Sequence, residues 1–257
     1  MRMNNPVTCA KLILENKQIT GVPAVSLRDI AKSEGIRFLL NDYPADSWDG
    51  TLLFKGEKRA ILINTHRGNT GRHNFTFAHE LGHYFLDHQP DYYQDGEASI
   101  KCTAADMADG KQPREVDANK FAQELLMPED SFRFDMIGST LDFTLVGNMA
   151  NKYMVSKQAC SYRIVGLTQA PCIIIFTEGM QITSIASSYA AKTYVQKLKA
   201  VPCDTAAFVA ISDRKWHEDF TTCDSSKWLC REVPGGTIYE CTHIHKESGS
   251  AMTIVKW

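Results

Sequence analysis

No apolar run in this chain is long enough to cross a bilayer; its apolar stretches, such as residues 172–176, are strand-sized. The opening residues, Met-Arg-Met-Asn-Asn-Pro-Val-Thr, lack the apolar stretch of a signal peptide. A basic excess is missing too: 28 Lys and Arg stand against 30 Asp and Glu, a net charge of −2, with no basic tail. That excludes a protein held on nucleic acid chiefly by charge. The eight cysteines include no Cys-x-x-Cys pair, and the scatter of Cys9, Cys102, Cys160, Cys172 and Cys203 does not argue for export. There is no internal repeat and no low-complexity tract. The 257 residues suffice for a full core and two modules, and the expected location is the cytoplasm.

Against these absences stands one dense motif, His79-Glu80-Leu81-Gly82-His83, inside a segment, residues 75–87, that reads as a buried helix. At 3.6 residues per turn, His79 and His83 project from one face and can grip a single zinc ion. Glu80 is one residue round from His79 and cannot easily join them as a ligand. It is placed to take a proton from a water, the general-base role of metallopeptidases. Two imidazoles leave room for a third protein ligand, expected downstream on another helix. Residues 115–128 supply the pattern: Ala118, Phe121, Ala122, Leu125 and Leu126 recur at helical spacing, and Pro128 stops the helix. Glu115, Ala118, Asn119 and Ala122 share one face. The alanines permit close approach of a neighbouring helix, Glu115 can be the third ligand, and Asn119 can fix the tautomer of a ligating histidine. Asp117 and Glu124 point elsewhere and read as solvated.

The strings Phe75-Thr-Phe-Ala-His-Glu-Leu-Gly-His-Tyr84 and Glu115-x-x-Ala-Asn-x-Phe-Ala-x-Glu-Leu-Leu-Met-Pro128 resemble the ImmA/IrrE family of zinc metallopeptidases. The likeness extends to residues 25–36, similar to the family's opening helix, to residues 61–64, and to residues 155–167, similar to its helix-turn-helix-like segment. It spans roughly residues 20–168. The resemblance implies an α+β, zincin-like metallopeptidase domain over residues 1–168, with the helix-turn-helix-like part at 141–168. It implies Zn2+ as cofactor, His79, His83 and Glu115 as ligands, and Glu80 as catalytic residue. It also implies a substrate: a helix-turn-helix repressor of the XRE type, whose loss switches on genes of mobile elements or stress responses. An oxyanion donor besides the metal is needed; Tyr84, Tyr162, Arg163, Tyr92 and Tyr93 all qualify by residue type.

The stretch 89–114 departs from the family pattern. It is rich in Asp, Gly and Ala, its apolar content is low and aperiodic, and it reads as a mobile flap or loop able to overhang the cleft. From residue 169 the signal turns to β. Strands are expected at 172–176, 181–186, 228–233, 237–246 and 252–257, with a helix at 189–200, giving a small α+β module over 169–257 similar in outline to sensor-like (GAF-like) domains. In the strand 237–246, Cys241, His243 and His245 share one face, which suits either a second metal site or a half-exposed strand.

Two other functional classes compete. Residues 148–164 have the spacing of a helix, a short turn and a recognition-like helix, but contribute Lys157 and Arg163 with few other bases, so DNA binding is not expected. A metal-bound regulator that binds a repressor or DNA without cutting is the alternative to proteolysis. The oligomeric state is not written in the chain.

Overall fold

The computed structural model describes residues 5–44, 48–66, 68–90, 92–94, 97–103, 112–245 and 248–257, an α+β protein with eight α-helices and two five-stranded sheets among them. The chain divides into two compact units: Met1–Ile137 with Asn148–Ala159, and Gly138–Gly147 with Cys160–Trp257. No helix among the described residues is long and apolar enough to cross a membrane.

The first unit opens with helix α1 (Pro6–Asn16), capped by the Asn5 side chain, and α2 (Leu27–Ser33). A sheet follows: β1 (Arg37–Asn41), β2 (Gly50–Lys55) and β3 (Lys58–Asn64), with β1 parallel to β3 and β2 antiparallel to it. The β2–β3 hairpin turns at Gly56, where φ is +56°, a conformation glycine adopts without a steric penalty. Helix α3 (Thr70–Phe85) carries the histidine motif, and Asn69 caps it by accepting from the Arg72 N–H at 3.1 Å.

Strands β4 (Tyr92–Gln94) and β5 (Glu97–Cys102) come next, and β5 pairs antiparallel with β2 to complete the order β1-β3-β2-β5-β4. This corrects the reading of 89–114 as a loop throughout. Ala98, Ile100 and Cys102 alternate onto a buried face, and the partner strand that rewards the alternation lies some fifty residues upstream. The rest of the proposed flap, residues 104–111, and the side chains of Tyr92 and Tyr93 lie outside the described residues.

Helix α4 (Pro113–Leu126) packs against α3 and α1. Its contact with α3 is tight: a Cβ on Gly82 would sit 3.1 Å from the Ala118 Cα and 3.1 Å from the Phe121 ring. Glycine within a helix costs about 1 kcal/mol relative to alanine, and the close approach of the two backbones is the return for it. Glu124 is not solvated, contrary to expectation. It is buried, accepts the Glu129 N–H at 3.1 Å and lies 4.0 Å from the Lys11 ammonium on α1. The α1 face claims that side of the helical wheel. Helix α5 (Glu129–Met136) follows. Helices α6 (Phe143–Tyr153) and α7 (Lys157–Leu167) flank a three-residue connection, and the Ser156 hydroxyl caps α7 by accepting the Ala159 N–H.

The second unit is built on an antiparallel sheet of order β7-β6-β10-β9-β8: β6 (Cys172–Glu178), β7 (Gln181–Ser187), β8 (His217–Asp224), β9 (Thr237–Ile244) and β10 (Ser250–Lys256). Residues 189–200 form turns and bridges rather than the expected helix. The Ile182 and Val201 N–H groups bond to Lys199 and Met180, so pairing with β7 overrides local propensity. The helix in this region is α8 (Ala206–Asp213), capped by Thr205. Residues 228–233 are likewise not a strand, making one isolated bridge between Leu229 and Val195, and the edge strand is β8.

Candidate metal centre

Helix α3 sends His79 and His83 to the same side, both fully buried, with their Nε2 atoms 2.9 Å apart. Glu115 enters from the first turn of α4, where the helix dipole favours a carboxylate. Its Oε2 lies 3.1 Å from His79 Nε2 and 3.4 Å from His83 Nε2, while Oε1 accepts from Arg114 Nε at 3.2 Å.

A fourth donor comes from β5. The Cys102 Sγ lies 3.1 Å from His79 Nε2, 3.5 Å from His83 Nε2 and 3.4 Å from Glu115 Oε2. These four are the group of His, Cys, Asp and Glu side chains among the described residues that could hold a metal ion. All six separations fall between 2.9 and 3.5 Å, the edges of a nearly regular tetrahedron. The centre of such a figure lies about 1.8–2.1 Å from each corner, against roughly 2.0–2.1 Å for zinc–nitrogen and 2.3 Å for zinc–sulfur bonds. The donor set therefore fits a small divalent cation.

Each imidazole is oriented through its other nitrogen. His79 Nδ1 lies 3.0 Å from Asn119 Oδ1, so it carries the proton and donates to the amide oxygen, leaving Nε2 bare. His83 Nδ1 lies 2.9 Å from His88 Nδ1. Helix α3 ends in a Schellman turn that makes this possible: Asp87 takes a left-handed conformation (φ 55°), and the His88 N–H reaches back to the His83 carbonyl at 3.0 Å. Burial, helped by the His79 and His88 rings and opposed by Glu115, pulls the His83 pKa down to about 4, so the ring is a neutral ligand at ordinary pH. Burial alone would raise the pKa of Glu115. Its hydrogen bonds with His79 and His83 outweigh that and leave it below the usual carboxylate range.

Glu80 is fully buried, and neither carboxylate oxygen has a hydrogen-bond partner among the described residues. Burial pushes its pKa well above the ordinary value, the Cys102 thiol opposing in part and Glu115 adding to the rise. Strand β2 comes close at this point because residue 50 is glycine: a Cβ there would lie 2.7 Å from Glu80 Oε1 and 2.5 Å from Thr76 Cγ2.

Of the residues singled out in the sequence, His79, His83, Glu115 and Asn119 come together, with Glu80 beside them. Tyr84 does not join them; the charged groups acting on its hydroxyl are Glu34, Arg59 and Lys17. Tyr162 and Arg163 belong to the second unit, where Tyr162 stacks on Phe176 and Arg163 is buried. Cys102 and His88 were missed. The alternation of Ala98, Ile100 and Cys102 was the available signal for the first, and a histidine just past the helix end for the second. Cys241, His243 and His245 form no such cluster among the described residues. Cys241 is buried, the His243 ring sits against Phe143 and Trp216, and His245 Nδ1 contacts Ser248.

The family model for the IrrE N-terminal-like domain, Peptidase_M78, matches residues 31–165. The chain belongs to this IrrE/ImmA family. Membership points to a metal-dependent peptidase and agrees with the four-donor cluster. No curated protein matches the chain. Among solved structures, a Mycobacterium tuberculosis transcriptional regulator is similar, with a TM-score of 0.58 at 14% identity over 98% of this chain and 75% of that one. At that identity the likeness establishes the fold alone.

Proposed function

We propose that this chain is a zinc-dependent endopeptidase that cuts a helix-turn-helix repressor of the XRE type and so derepresses mobile-element or stress-response genes. One observation carries the catalytic part: Glu80 is a buried carboxylate with no hydrogen-bond partner among the described residues, one residue from His79. Leaving such a group unpaired costs several kcal/mol, which a fold keeps where the group has work to do. The family resemblance supplies the repressor class, and a solved relative described as a transcriptional regulator supports a regulatory setting.

His79, His83 and Glu115 would hold the metal, and Asn119 and His88 would fix the two rings. Bound zinc supplies Lewis acidity and lowers the pKa of water to roughly 7. Glu80, its pKa raised by burial, takes the proton from the attacking water and returns it to the leaving amine. The sheltered position of both groups keeps bulk water from competing. We place the peptidase domain at residues 1–168 and the protein in the cytoplasm.

A Glu80→Gln protein incubated with purified XRE-type repressors tests the reading. The expected result is full metal content with cleavage reduced by about 10²–10⁴-fold; cleavage at the wild-type rate would remove Glu80 from the mechanism. A second reading, a metal-bound regulator that captures a repressor without cutting it, is favoured by the fourth protein donor, Cys102. Under that reading repressor capture survives Glu80→Gln, and no cleavage is seen with wild type or with a Cys102→Ala protein that lacks the fourth donor.

A further inference from the structure

A catalytic zinc keeps one position for water, whereas a structural zinc has four protein donors. The cluster on α3, α4 and β5 contains both signatures, an unpartnered base and a complete donor set. Resting on the metallopeptidase reading above, we propose that Cys102 is the fourth metal ligand, occupying the position that the hydrolytic water needs, so that the folded chain is latent until the thiolate is displaced.

The placement of Cys102 argues against a bystander thiol. Its backbone is fixed twice, by pairing with Gly50 in β2 and by the Asp49 N–H donating to its carbonyl at 2.9 Å. Asp49 in turn accepts from Arg72 on α3 at 2.9 Å to both carboxylate oxygens, which ties the end of β5 to the histidine helix. The thiol is fully buried, yet its neighbours are the Nε2 atoms of His79 and His83 and the Glu115 carboxylate, all within 3.5 Å. A cysteine serving as a small apolar residue would be surrounded by carbon instead. Sγ completes the tetrahedron on equal terms with the other three donors.

Activation is then a ligand exchange. The metal–sulfur bond breaks, a water oxygen takes the released position, and the thiolate leaves as a thiol with a proton from solvent. No electrons change hands. Glu80 acquires the water it is placed to deprotonate only after this step.

The test uses the full chain loaded with Co2+ or Zn2+, as wild type, Cys102→Ala, Cys102→Ser and the control Cys9→Ser. Zinc-edge X-ray absorption of the wild type should show one sulfur neighbour at about 2.3 Å. The sulfur, and the near-ultraviolet sulfur-to-cobalt band, should vanish in Cys102→Ala and persist in Cys9→Ser. Acetohydroxamate should perturb the visible cobalt spectrum of Cys102→Ala at roughly tenfold lower concentration than wild type, if the thiol is off the metal about a tenth of the time. One metal per chain with no sulfur neighbour would overturn the proposal and leave the metallopeptidase reading standing. Equal hydroxamate response would overturn latency. Absence of bound metal in the wild type would overturn both. The wild-type measurement needs no variant to fold.

Discussion

Two of the buried glutamates, one in each unit, are treated in opposite ways. Glu240 on β9 is almost wholly enclosed, and both its oxygens are used: one accepts the Ala206 N–H at the start of α8 at 2.6 Å, the other the Trp228 indole N–H at 2.7 Å. Glu80 on α3 is fully enclosed and accepts from nothing among the described residues. Burial raises the pKa of both, but only Glu240 has backbone and indole donors pulling it back. Glu240 ties a helix N-terminus to a sheet and a tryptophan to a strand. Glu80 makes no such tie among the described residues. A satisfied buried carboxylate is architecture, whereas an unsatisfied one beside four donor atoms that could hold a metal ion is where chemistry is to be looked for.

The same contrast separates two sets of cysteine and histidine. On α3 and β5, ring nitrogens and a thiol converge within 3.5 Å, and the outer nitrogen of each ring is held by Asn119 or His88. On β9, His243 packs between aromatic rings and His245 bonds to a neighbouring serine. Composition makes the two sets look alike; only convergence distinguishes them.

Breaking the convergent side should have the larger consequences. Asn119→Ala removes the acceptor that fixes the His79 tautomer, and metal affinity should fall about 10–100-fold, read by competition with a chromophoric chelator. Gly50→Ala puts a Cβ into Glu80 and Thr76 and should cost about 1–3 kcal/mol, with proteolytic activity falling along with the thermal midpoint. On the architectural side, Trp228→Phe abandons one Glu240 oxygen and should destabilise by about 1–3 kcal/mol in denaturant unfolding, with metal affinity unchanged. The smallest effect concerns pH. Because burial raises the Glu240 pKa, the native state holds that proton more tightly than the unfolded chain. Its contribution to stability is therefore full below the unfolded value of about 4.3 and is lost as pH rises through the folded value. Glu240→Gln should accordingly gain on wild type in thermal midpoint as pH rises from about 4 toward 7.

Local signals made most of this centre legible in the sequence. The i, i+4 histidines, the helix face shared by Glu115 and Asn119, and the small residues Gly82 and Ala118 at the helix contact all follow from helical periodicity. Cys102 did not, because β5 is a six-residue strand in a stretch rich in Asp and Gly, and its partner β2 lies about fifty residues away. Long-range pairing of that kind also turned residues 189–200 away from the helix their apolar spacing suggests. The α8 helix was readable in principle, since Thr205 stands as an N-cap before Ala-Ala-Phe-Val-Ala-Ile. Glu124 was misassigned because a helical wheel shows which residues share a face but not how many neighbours the helix has.

Metal content per chain, measured by elemental analysis on wild type and Glu115→Ala, decides whether this cluster is a metal centre. Close to one zinc per wild-type chain is expected, with marked loss in the variant and secondary structure retained by circular dichroism. Zinc held equally by both would take Glu115 out of the donor set, and wild-type protein that binds no metal even when zinc is supplied would reduce the cluster to scaffolding and end the metallopeptidase reading.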